Sequence, residues 1–252
     1  MASFGSGNEE KPSNRSVCAA GTLSLVPVPK SVKGHIYVGL QYPTGMHEPR
    51  KRTVDNQRDW RDYGTTPLPP VLGAALACFV EQGYHGTTIR EVAARAGLSV
   101  PGIYHHYPSK HALLAGIAER AMADLFSRSR QALDQAGPGI EERFAALIRC
   151  LVLFHAHRSD QAFIAASEIR SLDEQARARH IDARDRQQLL LTDIVNDGVA
   201  AGIFTTPFPA EATRAVLTMC TSVAQWYRRD GGLPPEELAD RYLMITRAAL
   251  GG

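Results

Sequence analysis

The chain has 252 residues, a 44% hydrophobic fraction and a formal net charge of +2, a composition with room for one large or two small globular domains. No apolar run approaches the roughly 20 residues that a membrane-spanning helix needs, and the N-terminus lacks the charged segment and apolar stretch of a signal peptide. Charge is uneven: residues 1–130 carry 15 Lys+Arg against 10 Asp+Glu and residues 131–252 carry 13 against 16, the asymmetry expected when one end tracks phosphates and the other does not.

Residues 1–65 are rich in Gly, Pro and Ser and show no sustained apolar period, so they are expected to be disordered, with the fold beginning near Leu68. Arg50, Lys51 and Arg52 read either as a solvated charge run or as a basic arm able to enter a DNA groove. Pro69 and Pro70 then open a helix whose Leu72, Leu76, Phe79 and Val80 make one apolar stripe, ended by Gly83.

Residues 87–110 carry the strongest local signal. Thr88 is a good N-cap, Glu91 completes a capping box, and Ile89, Val92 and Ala93 recur at helical spacing before Ala96 and Gly97 end the helix. A second helix follows at once, capped by Ser99, with Pro101 in its first turn and Pro108 forbidding a long run. Two short helices joined by a Gly-containing turn make a helix-turn-helix, whose second helix offers its N-terminal residues to base edges.

Residues 68–126, and above all the run G-L-S-V-P-G-I-Y-H-H-Y-P-S-K-H-A-L-L, resemble without a gap the DNA-binding domain of the tetracycline-repressor (TetR) family. The resemblance implies a DNA-binding domain over residues 66–126 with its motif at 88–107. It implies that Val100, Pro101, Gly102 and His105 face base edges or the groove wall, and that Tyr104, His106 and Lys110 hold phosphates. Thr87 and Thr88 suit a phosphate because they stand at a helix N-terminus. Ile103 and Tyr107 are expected in the core, and His106 is as well placed for an internal hydrogen bond. Residues 1–65 then read either as a disordered extension or as foreign to the native protein, since a start at Met46 would leave a length usual for the family.

Ser109 caps a long helix running past Leu113, Leu114, Ile117, Met122, Leu125 and Phe126, the expected lever to the remaining domain (127–252); Gly137, Pro138 and Gly139 stop it. Beyond Ile140 the pattern is helical throughout. Phe144, Leu147, Ile148, Leu151, Phe154 and His155 form one stripe, residues 163–172 a second segment and residues 174–201 a long charged helix. After Phe208 and Pro209, Ala212, Val216, Met219, Cys220, Val223, Trp226 and Tyr227 share a face; Leu238, Tyr242, Ile245 and Ala249 mark the last helix. No strand pattern occurs, so the protein is expected to be all-α.

Cys18, Cys78, Cys150 and Cys220 are scattered, with no C-x-x-C pair and no histidine at metal-ligand spacing, which favours reduced cysteines in a cytoplasm and neither metal nor cofactor. An enzyme or carrier that merely contains a helix-turn-helix is the rival reading. It lacks reagents: there is no G-x-S-x-G, no H-E-x-x-H, no phosphate-cradling Gly loop and no carboxylate pair fixed by spacing.

The second half resembles the helical ligand-sensing and dimerisation domain of the same family, whose last two helices form a four-helix interface. Ala212, Ala215, Ala239, Ala248 and Ala249 permit close helix approach, and a two-fold homodimer would place two recognition helices on a palindromic double-stranded operator. Glu168-Ile169-Arg170, Arg184-Asp185, Gly202-x-Phe204, Gln225-Trp226-Tyr227 and Gly231-Gly232-Leu233 look like the family's actinobacterial repressors of steroid and fatty-acid breakdown, which respond to acyl-CoA thioesters; Gln225 departs from the cation of that pattern. For such an inducer, Phe144, Phe154, Phe163, Met219, Val223 and Trp226 are the expected apolar slot. Arg177, His180 and Arg184, at i, i+3 and i+7, are the expected cations for its phosphates. The alternative for that helix is solvated pairing of Asp173 with Arg177 and Asp182 with Arg186.

Overall fold

Helix signals in the sequence translate directly into the computed structural model, which describes residues 59–64 and 68–252. Cys18, Met46 and the basic stretch at Arg50, Lys51 and Arg52 lie outside the described residues. Those residues form nine α-helices and no strand. Helix α1 (Pro70–Gly86) starts on its Pro pair and breaks at Gly83, whose φ of 76° is left-handed, before one last turn. In α2 (Ile89–Ala96) both halves of the capping box are formed, the Glu91 amide bonding Thr88 Oγ1 and the Thr88 amide bonding Glu91 Oε2, and Gly97 caps the C-terminus at φ 67°. Ser99 caps α3 (Val100–His106) through the Gly102 amide, and Ser109 caps α4 (Lys110–Gln135) through the Ala112 amide.

Helices α1 to α3 and the first half of α4 make a small head. Its core is Leu72, Phe79, Val92, Ile103, Leu113, Leu114 and Ile117, each at most 1% exposed. The body comprises the rest of α4 with α5 (Ile140–His157), α6 (Ser159–Ser167), a 3-10 turn (Ile169–Ser171), α7 (Glu174–Ala200), α8 (Pro209–Trp226) and α9 (Pro235–Ala249). Helix α5 is the hub, sealed from solvent from Cys150 to Ala156, and it packs on α4, α7, α8 and α9. At roughly 1.5–3 kcal/mol per fully buried large apolar side chain, this core dominates the stability of the body. Head and body are not separate: Ile164 of α6, Leu172 just after the 3-10 turn and Ala176 of α7 pack into the head core, and the expected boundary near residue 126 falls inside the unbroken helix α4.

One expectation is corrected. The fold does not begin at Leu68, because residues 59–64 form a strap across the body. Trp60 is 1% exposed and joins the body core. Arg128 of α4 donates through Nη1 to the carbonyls of Trp60 and Asp62 (2.7 and 2.9 Å) and through Nε to Asp124 (2.8 Å). Arg158 donates to the carbonyls of Tyr63 and Gly64, and the Tyr63 ring stacks on His157 at 4.4 Å. The Gly, Pro and Ser density of residues 1–65 taken as a whole hid two aromatic anchors, whose partners lie more than sixty residues away.

Candidate nucleic-acid interface and ligand cavity

On α3, the core side is held by Ile103, fully buried, and by Tyr107 just beyond it, packed near Gly116 and Leu72. This leaves Pro101, Tyr104, His105 and His106 exposed, with Val100 and Gly102 half-buried beside them. A Cβ at Gly102 would stand 3.3 Å from Ser99 Oγ, so a larger residue there presses on the cap. The rings of His105 and His106 meet edge to face at 5.4 Å and make no side-chain hydrogen bond among the described residues. The six residues thus present one continuous surface, pinned from behind by Ile103.

The expected phosphate ligands at the ends of neighbouring helices are placed differently. Lys110 Nζ donates to the carbonyls of Tyr84 and Thr87, both at 2.9 Å, and lies 4.6 Å from the Tyr84 ring centre. Its charge is held on the C-terminal carbonyls of α1, where the helix dipole is negative, so the structure ties it to α1 and not to an open phosphate site. Thr87 is 2% exposed and its hydroxyl donates to the carbonyls of Cys78 and Gly83. Thr88 is exposed, but its hydroxyl is engaged with Glu91. Arg90, overlooked in the sequence, lies in the first turn of α2; it is exposed and makes no ion pair among the described residues.

In the body, α4, α5, α6, α7 and α8 enclose a cavity of about 550 Å³. Its apolar wall is Ala121, Met122, Leu125, Leu151, Phe154, Ala162 and Ala165, and its polar residues are His155, His180, Arg184, Asp185, Gln187, Gln188, Arg214, Thr218, Thr221 and Gln225. Of the expected ligand contacts, the structure brings Phe154, His180 and Arg184 to this cavity. The others lie elsewhere for identifiable reasons. Phe144 packs on Phe204 in the core, Val223 is fully buried and Met219 packs against the same core. Phe163 is exposed beside a small neighbouring crevice, and Arg177 donates to the Leu172 carbonyl at the start of α7. Trp226 is half exposed and stacks on Tyr242 of α9, outside the cavity.

Burial sets the chemistry of the cavity. His155 is 6% exposed, donates from Nδ1 to the Leu151 carbonyl at 2.7 Å, and has its pKa pushed down to about 4, because burial penalises imidazolium more than that bond favours it. The pKa of His180 is lowered by burial and then by the charge of Arg184, and its Nδ1 has no partner. Gln187 donates from Nε2 to Ser129 Oγ at 2.9 Å, leaving Oε1 unpartnered. Two helical faces supply much of this lining, His180, Arg184, Gln187, Gln188 on α7 and Arg214, Leu217, Thr218, Thr221, Gln225 on α8, at spacings of three and four that the sequence displays. The α8 face escapes notice there because it is mostly polar and so resembles a solvated one. Among the described residues, no three His, Cys, Asp or Glu side chains are grouped to hold a metal, and no helix is long and apolar enough to cross a membrane.

Two connections run from cavity to head. Helix α4 is continuous from Lys110 in the head to Ala121, Met122 and Leu125 on the cavity wall. At the seam, His111 of α4 bonds from Nδ1 to the carbonyl of Ser171 in the 3-10 turn (2.7 Å) and lies 2.9 Å from the Tyr84 hydroxyl of α1.

Comparison with known proteins places both halves. Residues 71–117 match the family described as bacterial regulatory proteins, tetR family, and residues 137–250 match the tetracyclin repressor-like C-terminal domain. The chain is 29% identical over 184 residues to the HTH-type transcriptional repressor KstR2 of Mycobacterium tuberculosis H37Rv, spanning 72% of this chain and 90% of that one. It is 30% identical to the TetR-family regulator PfmR of Thermus thermophilus, with a TM-score of 0.66 over 72% of this chain and 97% of PfmR. It is also 25% identical, with a TM-score of 0.63 over 69% and 95%, to AibR, solved in complex with isovaleryl coenzyme A and operator DNA.

Proposed function

Because the chain belongs to the TetR family of DNA-binding transcription regulators, we propose that it is a homodimeric repressor that leaves a palindromic operator when an acyl-CoA thioester fills the cavity of the body. The observation that carries this reading is the single helix α4, which begins in the DNA-reading head and forms part of the cavity wall. An occupant that favours one setting of α4 changes DNA affinity through differential binding to the two settings, with coupling typically ~1–3 kcal/mol. The exposed face of α3, with Val100, Pro101, Gly102, Tyr104, His105 and His106, is the DNA-contacting surface, and Arg90 its phosphate anchor. Phe154, Leu151 and Leu125 receive the acyl part, while Arg184 and Arg214 are the cations available to the phosphates. The ligand class is supported by the isovaleryl coenzyme A of the AibR complex and by the apolar wall with cations in one cavity.

Dimerisation is supported by the outer faces of α8 and α9, where Phe208, Met244 and Ile245 are 65, 68 and 53% exposed and Ala215 and Ala248 are exposed between them. Met244→Glu combined with Ile245→Glu should give a monomer by sedimentation and abolish operator binding at moderate protein concentration. A variant still dimeric would move the interface elsewhere.

The functional test is to titrate the protein on fragments of its own upstream DNA at several salt concentrations, then add acyl-CoA thioesters of increasing chain length. Binding that falls steeply with salt and is reversed by at least one thioester is expected. Binding that no thioester reverses removes the proposed ligand class and leaves the DNA-binding assignment standing.

A further inference from the structure

Two of the buried polar groups lining the cavity, His155 and Gln187, have already spent their donors. His155 uses its Nδ1 proton on the Leu151 carbonyl, so in the neutral ring Nε2 is a bare acceptor, and it has no partner among the described residues. Gln187 uses its amide donor on Ser129 and keeps an unpartnered Oε1, a second acceptor on the facing helix α7. The two hydroxyls on the α8 side donate to backbone: Thr218 to the Arg214 carbonyl (2.8 Å) and Thr221 to the Thr218 carbonyl (3.2 Å). Both therefore turn acceptor lone pairs outward. His155 and Gln187 are each about 95% buried, so a partner for Nε2 has to come from what fills the cavity.

We infer that the cavity selects an acyl group carrying a hydroxyl, whose proton is accepted by Nε2 of His155, over the plain alkyl chain of the same length. This rests on the cavity being the ligand site proposed above. A saturated chain filling the same space removes whatever water serves Nε2 and returns no donor, and a buried acceptor left unpaired is penalised where a paired one is not. A ketone repeats the mismatch, since carbonyl oxygen also only accepts. The acidic form of His155 would reverse the preference, but burial keeps the ring neutral at ordinary pH.

The test is direct binding by calorimetry of decanoyl-CoA against a set of hydroxydecanoyl-CoA isomers, repeated with the matching N-acetylcysteamine thioesters, which lack the nucleotide. At least one hydroxy isomer is expected to bind about tenfold or more tightly than decanoyl in both series. The preference should shrink to below about threefold in His155→Leu and survive in part in His155→Gln, which keeps an acceptor. The wild-type comparison stands even if His155→Leu does not fold. Decanoyl binding as well as every hydroxy isomer, or a preference unchanged in a folded His155→Leu, overturns the inference. A hydroxyl preference seen without operator release, or only without the nucleotide, supports the inference and removes the acyl-CoA inducer. Binding of no thioester in either series overturns both.

Discussion

The two ends of α4 keep their polar groups in opposite places. In the head, caps are satisfied locally, Thr88 with Glu91 and Ser99 with Gly102, and the polar side chains of the face proposed for DNA, Arg90, Tyr104, His105 and His106, are exposed to water. In the body, His155, His180 and Gln187 turn inward and are each at most 6% exposed. A surface meant for phosphates works through charge in high dielectric, so salt controls it. A cavity meant to discriminate works through neutral groups out of water, so burial and protonation control it. One helix therefore joins two sites that should respond to different solution variables.

The largest expected effect probes the body. Trp60→Ala removes a fully buried ring from the strap and should destabilise the protein by about 3–5 kcal/mol, read as a lowered denaturation midpoint; a change below about 1 kcal/mol would mean that the strap is not anchored as described. Acid comes next. The pKa of His155 lies at about 4, below the ordinary value of 6.5, so as pH falls from 6.5 towards 4 the unfolded chain takes up a proton that the native ring refuses. Stability present above pH 6.5 is then lost, by up to roughly 3 kcal/mol from this ring, and His157 and His180, both lowered first by burial, act in the same direction. Denaturant titrations from pH 7.5 to 4 should show the loss, and His155→Leu should flatten it. An unchanged pH dependence in that variant would place the titration elsewhere.

Two head variants sharpen the comparison. Lys110→Ala should cost about 1–2 kcal/mol of stability, because its charged donors hold the end of α1. Arg90→Ala should leave stability nearly unchanged and reduce the log-log salt slope of operator binding by about one. If Lys110→Ala lowers that slope while stability holds, the roles are exchanged. Smallest, Thr88→Ala should cost about 1 kcal/mol through loss of the cap.

The head was legible because its determinants are local. Thr88 and Glu91, Gly97, Ser99 and Pro101 each fix backbone within four residues, and the core positions of α1 to α4 follow one helical period. The body was legible as helices, α7 almost to the residue, but its cavity was not. Phe144 lies on the same apolar stripe of α5 as the true lining residues Leu151 and Phe154, whereas the apolar stripe of α8 that carries Val223 turns to the core and its polar face meets the void; only the packing of five helices decides this. Lys110 departs from its expected role for a related reason: the carbonyls it holds belong to a helix end more than twenty residues upstream. The strap was missed because its partners, Arg128 and Arg158, are remote in sequence.

The placement of the two tryptophans gives the molecule a built-in optical readout. Trp60 is the strap's own anchor, sealed in the body core with the Arg61 guanidinium 4.0 Å from its ring centre, whereas Trp226 is half open to solvent at the end of α8, stacked on Tyr242 of α9, the helix pair proposed for dimerisation. Their emission should separate into a blue component resistant to iodide or acrylamide and a red component open to both. Selective loss of quenching in the red component would report subunit association, and selective gain in the blue one would report release of the strap, in a single unlabelled sample.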